Sequence, residues 1–325
     1  MRGMAVRGWR IQGVVFMVSI LLTACTGAQP SQALVPPSAA VAPTASPSTV
    51  ETLPPTGTQP PPTPPAATPD LLLAAFAEFD PSRFSNPTVI DNAWMPLVPW
   101  TQWVTDGVTI EDGERISHRI LFTVTDLTKV IDGVRTVVAY VEDRSDGETV
   151  EIELAFYAQD DEGAVWYFGE HPEEYEDGEF VTAPSWLAGL ADAKPGIKML
   201  AEPKIGMQTY YQGWAPTVEW SDYGRVDEVG LTDCVTTGCY DDVIVMAESS
   251  DGEPGIFQLK SYARGIGEIR VGWRGEAESR EELQLYRLRH LTGDARAKIR
   301  AAALALEAHA YEISPDLYGK TAAAE

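Results

Sequence analysis

The sequence predicts a mainly β domain, an antiparallel meander forming a barrel or a strongly curved sheet, with a short N-terminal helix and a C-terminal amphipathic helix. From Trp100 onward, apolar and polar residues alternate with a period of two, which is typical of strands with one buried face. Asp-Gly and Glu-Gly pairs separate these runs. Such pairs favour hairpin turns, because glycine accepts the positive φ that tight turns require.

The first 24 residues have the order of an export signal. Three arginines precede an apolar run over residues 11–22, and small residues follow it. A membrane-spanning helix needs roughly 20 apolar residues, so this run is too short to be one. The motif Leu22-Thr23-Ala24-Cys25 closely resembles the lipobox of bacterial lipoproteins. An ordinary secretory signal that happens to contain a cysteine is the alternative.

The lipobox resemblance implies that Cys25 carries a diacylglyceryl group and becomes the first residue of the mature chain. Acylation of its amine, for instance by palmitate, would add a further chain, and two or three acyl chains anchor a protein stably. The resemblance therefore implies a location on the extracytoplasmic face of the cell membrane. Thr26 stands where many Gram-negative lipoproteins of the inner membrane have Asp, which leaves the outer membrane open.

Removal of residues 1–24 takes away three of the 24 basic residues and none of the 48 acids, so the formal charge changes from −24 to −27. Nucleic acids and anionic lipid surfaces both require a basic face. We therefore predict no nucleic-acid partner, and contact with the membrane through the lipid alone.

Residues 25–69 are predicted to be a disordered, Pro-rich stalk. Residues 28–69 contain 13 prolines, and Glu51 is their one charged residue. Such a segment cannot bury a core and favours extended polyproline conformations. The folded domain is predicted over residues 70–325. It would begin with a short helix over Leu71–Phe79, capped by Asp70 and ended by Asp80-Pro81.

The central part of the chain reads as a series of hairpins. Ile116, His118, Ile120, Phe122 and Val124 share one face of the first clear strand, and residues 135–141 are apolar on both faces. Later strands are predicted at residues 242–247, 255–263, 268–273 and 282–288. The turn pairs are Asp112-Gly113, Asp132-Gly133, Asp146-Gly147, Glu162-Gly163, Asp177-Gly178 and Asp251-Gly252.

Two stretches interrupt the hairpins, residues 182–203 and 214–230, and both are predicted to be irregular. They contain Trp186, Trp214 and Trp220, which are candidate ligand-binding residues for stacking on a sugar or an apolar ligand. Packing in the core is the alternative for these tryptophans.

Cys234 and Cys239 enclose four residues and are predicted to form a disulfide, which an extracytoplasmic location permits. Two reduced thiols or half of a metal site are the alternatives.

The C-terminal helix is predicted at about residues 294–313. Ile299, Ala303, Leu306, Ala310 and Ile313 form one apolar stripe. This stripe is expected to pack on the chain's own sheet, although it could instead meet a partner helix.

The sequence contains no catalytic signature, so no catalytic residue, metal ligand or cofactor is predicted. Gly-x-Ser-x-Gly and His-Glu-x-x-His are both absent, and His118 on an apolar strand face reads as a core histidine. Residues 160–179 contain nine acids and no Lys or Arg. They are expected to form a solvated acidic rim, with calcium shared between hairpin turns as the alternative.

Several short motifs look like those of a widespread set of uncharacterised bacterial secreted proteins and lipoproteins. They are Asn86–Asn92, Met95–Trp100, Val165–Glu170, Ala193–Ile197 and Tyr262–Gly267. The resemblance covers most of residues 79–273 and implies a secreted β-rich domain, with no known activity.

The leading functional hypothesis is a lipoprotein whose β domain, displayed on a stalk, binds an unknown ligand or envelope partner. An extracellular hydrolase that uses paired carboxylates on carbohydrate is the alternative. A purely structural envelope spacer is a third hypothesis, which requires a domain without any cavity.

Overall fold

The computed structural model describes residues 74–277 and 279–325, and over these residues the chain forms fourteen strands and a long C-terminal helix. The predictions for residues 1–73, including those for Cys25 and the stalk, lie outside the described residues. The strands are β1 (Thr101–Glu111), β2 (Glu114–Ile131), β3 (Val134–Ser145), β4 (Glu148–Gln159), β5 (Val165–Glu176), β6 (Glu179–Thr182), β7 (Trp186–Leu187), β8 (Lys194–Met199), β9 (Tyr210–Ala215), β10 (Trp220–Val235), β11 (Gly238–Ser249), β12 (Phe257–Ala263), β13 (Gly267–Arg274) and β14 (Ser279–His290). The helices are α1 (Gly293–Ile313), α2 (Pro315–Tyr318) and two 3-10 turns, Pro81–Arg83 and Pro216–Val218.

Twelve of these strands close into an antiparallel barrel, which confirms the predicted fold class. The order runs β1, β2, β3, β4, β5, β8, β9, β10, β11, β12, β13 and β14, and the pairing of β1 with β14 closes the ring. The short strands β6 and β7 pair with β5 along the same edge as β8 and are not counted among the twelve. Closure decides between the two predicted forms, a barrel and a curved sheet, because it leaves neither end of the meander as an open edge.

Four of the predicted turns have the backbone conformation that their sequences favour. Asp112, Asp132, Asp146 and Asp177 all have φ near +50°, and the glycine after each also has a positive φ. Both central residues of a type I′ turn require this conformation, and its twist matches that of the flanking strands. These turns join β1 to β2, β2 to β3, β3 to β4 and β5 to β6.

The barrel wall separates two cores. The inner core lies inside the ring and includes Trp103, Tyr157, Tyr167, Met246 and Tyr262. The outer core lies between the outer face of β2–β5 and helix α1. Helix α1 buries Ala303, Leu306 and Ala310 there, so the predicted helix and its packing on the chain's own sheet are confirmed.

Strand β4 turns its apolar face outward and its acidic face inward. Its apolar residues Leu154 and Phe156 belong to the outer core beneath α1. Glu151 and Glu153 lie on the same face of the strand as Ala155 and Tyr157, which belong to the inner core. Glu151 and Glu153 therefore face the barrel interior.

The predicted helix over Leu71–Phe79 is wrong for its described residues 74–79, which are not helical. The amide of Ala75 donates to the carbonyl of Thr209, and its carbonyl accepts from the amide of Tyr211. Phe79 packs on Trp166 and Phe168, with ring centroids 5.9 and 5.6 Å apart. Pairing with β9 and burial of aromatic rings thus outweigh the local helix propensity.

The irregular segment predicted at residues 214–230 is also wrong, because most of it belongs to β10. Three register shifts along the β10–β11 pair, between Val226 and Asp233, break the period of two and so hide the strand. The predicted disulfide is present: Cys234 and Cys239 are direct cross-strand partners at the end of this hairpin.

Candidate functional site

The segment before β1 covers one end of the barrel. Asn92 donates from Nδ2 to the carbonyls of Gly163 and Leu200, at 2.8 and 3.0 Å, and the amide of Gly265 donates to the carbonyl of Ala93. Trp94, Met95 and Leu97 from the same segment are buried in the inner core. The interior at this end is therefore apolar and filled.

The interior toward the opposite end contains ionisable side chains. This end carries the turns at Asp112-Gly113, Asp146-Gly147 and Asp177-Gly178, and we call it the turn end. Within the described strands, at least eight inward positions hold carboxyl groups, and Lys198, Lys260 and His118 also point inward. The carboxyl groups include those of Asp143, Glu151, Glu153, Glu170, Asp222, Glu248, Glu268 and Glu281.

Glu248 on β11 lies between the two inward lysines. Lys198 donates to its two carboxylate oxygens at 3.1 and 3.0 Å, and Lys260 lies 3.0 Å from Oε2. Gln212 donates from Nε2 to Glu248 at 2.8 Å and accepts from Lys198 at 3.3 Å. A Cβ at Gly224 would lie 3.0 Å from this amide nitrogen and would crowd it.

The three charged groups are almost completely buried, since Glu248, Lys198 and Lys260 are 1, 4 and 7% exposed. Burial opposes ionisation of Glu248, but Lys198 and Lys260 outweigh it and lower the pKa of its carboxyl to about 2. Burial also lowers the pKa of Lys198, whereas for Lys260 it is outweighed by Glu248, which raises the pKa of that ammonium group. Glu248 therefore remains a carboxylate through neutral pH.

A second group of acids surrounds Tyr167 on β5. The Tyr167 hydroxyl donates to Glu170 at 2.6 Å and to Glu153 at 3.2 Å, and its ring stacks on Tyr157 with centroids 4.9 Å apart. Burial and repulsion by Glu170 raise the pKa of Glu153 to about 8. Burial, and repulsion by Glu153 foremost among the neighbouring acids, also raise the pKa of Glu151.

A third group centres on His118 of β2. Its Nε2 lies 2.8 Å from both carboxylate oxygens of Asp143, and its Nδ1 lies 2.8 Å from Thr109 Oγ1. Burial disfavours the imidazolium, but Glu281 and Asp143 outweigh it and raise the pKa of His118 to about 9. Gln258 donates to Glu281 Oε2 at 2.8 Å. His118 is thus the buried, hydrogen-bonded histidine that the sequence predicted.

Several buried polar atoms near these groups have no hydrogen-bond partner among the described residues. They include Asp222 Oδ2, Gln258 Oε1, Glu281 Oε1 and Tyr210 Oη, whose residues are 2, 5, 4 and 7% exposed. Glu281 Oε1 lies 3.4 Å from His118 Nδ1 without a hydrogen bond. Because buried polar groups in folded proteins are nearly always paired, these atoms mark positions where a bound molecule or ordered water belongs.

The three predicted tryptophans lie in two places. Trp186 and Trp220 are buried in the inner core, with ring centroids 4.7 Å apart, and Trp220 lies 6.1 Å from Tyr167. Trp214 is partly exposed and meets Phe76 at 6.1 Å, beneath the ammonium group of Lys194. Only Trp220 and Trp186 therefore adjoin the polar interior.

The acids of residues 160–179 are dispersed rather than gathered in one rim. Asp160, Glu170 and Glu173 are buried, so the predicted solvated rim is wrong for them, whereas Asp177 and Glu179 at the turn are exposed. Asp160 accepts from the indole of Trp166 at 2.9 Å. Strand alternation sends Glu170 inward and Glu173 outward, where it accepts from His309. In the described part of the chain, no group of three or more His, Cys, Asp or Glu residues is placed to hold a metal ion.

A cavity of about 410 Å³ lies on the outer surface, next to the segment that precedes β1. Its lining includes Arg83, Asp160, Trp166 and Lys204. Arg83 already pairs with Glu162 at 2.8 Å, and Lys204 pairs with Glu202 at 2.7 Å. Its polar groups are therefore more fully paired than those of the barrel interior.

The polar interior was missed by sequence reasoning, although a signal for it exists. Lys198 and Glu248 each stand beside buried apolar residues, Met199 and Ala247, in strands that bury both faces. A charged residue in such a strand must be paired inside the protein, because an unpaired buried charge costs too much free energy. Which acid meets which lysine depends on barrel register, which the sequence does not reveal.

Comparisons with known proteins give the chain no family. No family model matches it, and no curated protein matches it. One structural match is a bacterial protein described as "Crystal structure of a putative lipoprotein from Parabacteroides distasonis ATCC 8503". It is 13% identical, with a TM-score of 0.37, over 61% of this chain and all of that chain. No helix in the described residues has the length and hydrophobicity to cross a membrane.

Proposed function

We propose that the chain is a lipid-anchored extracytoplasmic protein whose barrel binds a small molecule in its interior, at the turn end. Four buried atoms that lack a hydrogen-bond partner, on Asp222, Gln258, Glu281 and Tyr210, carry this proposal. A barrel of eight strands has an interior that side chains fill, and a ring of twelve is wider. The polar groups of the interior offer binding partners to a ligand with several hydrogen-bonding or charged groups.

The anchoring part of the proposal rests on Leu22-Thr23-Ala24-Cys25 and on the Pro-rich residues that follow. The stalk would hold the barrel away from the membrane, so that a ligand reaches the turn end from the surrounding solution.

The binding proposal is tested with the full-length mature protein in detergent. It is exposed to choline, arginine, maltose and succinate, each in a thermal-shift assay and in native mass spectrometry. A ligand at 100 times its Kd should raise Tm by about 5 °C or more, and a one-to-one adduct should appear. Asp222→Asn should weaken the shift, because it changes an unpartnered interior atom.

Asp177→Asn is the matched control, since it makes the same chemical change on an exposed turn where asparagine tolerates the positive φ. Equal shifts in both variants would place binding outside the interior. If none of the four compounds binds, the proposal fails.

A further inference from the structure

Three acids of the barrel interior lie close to the rings of Tyr167 and Trp220. Glu153 and Glu170 share the hydroxyl of Tyr167. Asp222 lies two residues after Trp220 on the same inward face, and Trp220 is 6.1 Å from the Tyr167 ring. Burial raises the pKa of Asp222; Lys198 and Lys260 oppose this effect, and Glu248 and Glu170 add to it. Asp222 and Glu170 therefore lie within electrostatic reach of each other.

The cations that face this place are already engaged. Lys198 and Lys260 both contact Glu248, and His118 contacts Asp143. Three cations therefore face at least eight carboxyl groups, and burial and repulsion between these acids raise the pKa of most of them. An added anion would oppose their ionisation further, at short range in a medium of low dielectric constant. An added cation would favour their carboxylate forms.

From this arrangement we infer that the ligand is a small organic ammonium cation, held among Glu153, Glu170 and Asp222 against the rings of Tyr167 and Trp220. This inference rests on the proposed interior binding function. Carboxylates supply the countercharge, and aromatic faces attract an ammonium group through their negative quadrupole. The unpartnered Asp222 Oδ2 is an acceptor for it. Organic cations fit better than metal ions, because the described carboxylates are not gathered tightly enough to ligate one.

Binding of such a cation should become tighter as pH rises. Glu153 faces Glu151, Glu170, Tyr167, Lys198 and Lys260, and its pKa of about 8 means that it is largely protonated at pH 6. The cation requires the carboxylate form, so binding must displace that proton at low pH. Affinity should therefore increase between pH 6 and 8.

The test uses choline, whose charge is independent of pH, and 3,3-dimethyl-1-butanol, its uncharged analogue of the same shape. Isothermal titration of the wild-type full-length protein should show choline binding that strengthens at least severalfold from pH 6 to 8. The analogue should bind at least tenfold more weakly. Neither measurement depends on a variant that folds.

Glu153→Gln should weaken choline binding about tenfold at pH 8, because it removes one of the carboxylates that supply the countercharge. Glu179→Gln is the control, because Glu179 is exposed beside the turn at the same end of the barrel. This variant should bind choline like wild type, which would show that surface charge does not cause the binding. Equal binding of the analogue, or no choline binding, would overturn the inference. If maltose or succinate binds instead, interior binding survives and only the ammonium class is wrong.

Discussion

At the scale of single residues, the interior of this barrel is organised by Glu248. One carboxylate there accepts from Lys198 and Gln212 and contacts Lys260. Removal of one partner of a buried ion pair costs much more than the net contribution of the pair, because it leaves the other charge buried and unpaired. In this protein, replacement of Glu248 alone would leave the ammonium groups of Lys198 and Lys260 buried without the carboxylate that they contact.

We therefore expect Glu248→Gln to lower the free energy of unfolding by about 3–5 kcal/mol at pH 7. Urea unfolding monitored by circular dichroism measures this change. Glu202→Gln is the control, because its ion pair with Lys204 is exposed and its loss should be undetectable. A similar stability for both variants would show that the buried charges are solvated.

The same residue predicts a pH dependence. The folded-state pKa of Glu248 is about 2, below its ordinary value of 4.5, so its stabilising contribution is present above pH 4.5 and is lost as pH falls from 4.5 to 2. The difference in unfolding free energy between wild type and Glu248→Gln should shrink across this range. A constant difference would contradict the assigned ion pairs.

Residue types alone predicted part of this site. The apolar environment of His118 was evident from strand alternation, and the structure confirms that it is buried and hydrogen-bonded. The alternation of Glu151 and Glu153 with apolar residues was equally clear. It did not reveal which face is covered, because helix α1, more than 130 residues later, supplies the outer cover. Such distant packing has no local signal.

At the scale of elements, the most predictable parts are those with local determinants. The Asp-Gly turns and the stripe of helix α1 follow from backbone preference and helical periodicity, and both match the structure. Strand β10 was missed because its bulges break the alternation. The segment 74–79 was misread as helical because its backbone partners, Thr209 and Tyr211, are remote in sequence.

Helix α1 offers a direct test of the outer core. Leu306 is 3% exposed and packs on the barrel, whereas Leu304 on the same helix is 37% exposed. Leu306→Ala should destabilise the protein by about 2–5 kcal/mol, through lost burial and the cavity left behind. Leu304→Ala should change stability by less than about 0.5 kcal/mol. Comparable losses in chemical unfolding of the two variants would mean that the helix does not dock as described.

At the scale of the whole molecule, the class of fold was predictable and the closure was not. Hairpins pair neighbours in sequence, so a meander follows from the turns. The pairing of β1 with β14 joins residues such as Trp103 and Leu288, between which no local pattern exists. Closure nevertheless creates the interior in which the acids and lysines meet.

The proposed anchoring is also a matter of the whole chain, and it predicts a clear phenotype. Cys25→Ala should abolish incorporation of labelled palmitate and leave the precursor uncleaved by the lipoprotein signal peptidase, because the modified thiol is absent. The double variant Cys234→Ser/Cys239→Ser is the control and should be labelled like wild type, since these cysteines form the disulfide. Unchanged labelling of Cys25→Ala would refute the assignment of this residue.

The pairing of the first barrel strand with the last has a consequence for how the protein is made. During synthesis or export, β1 has β2 on one side and no partner on the other until Ser279–His290 emerges. Contacts between such distant residues form slowly, and a partly emerged chain exposes strand edges that can aggregate. The barrel should therefore complete its folding only after the whole chain has been delivered. A chain truncated before β14 should be an early substrate for proteases and chaperones.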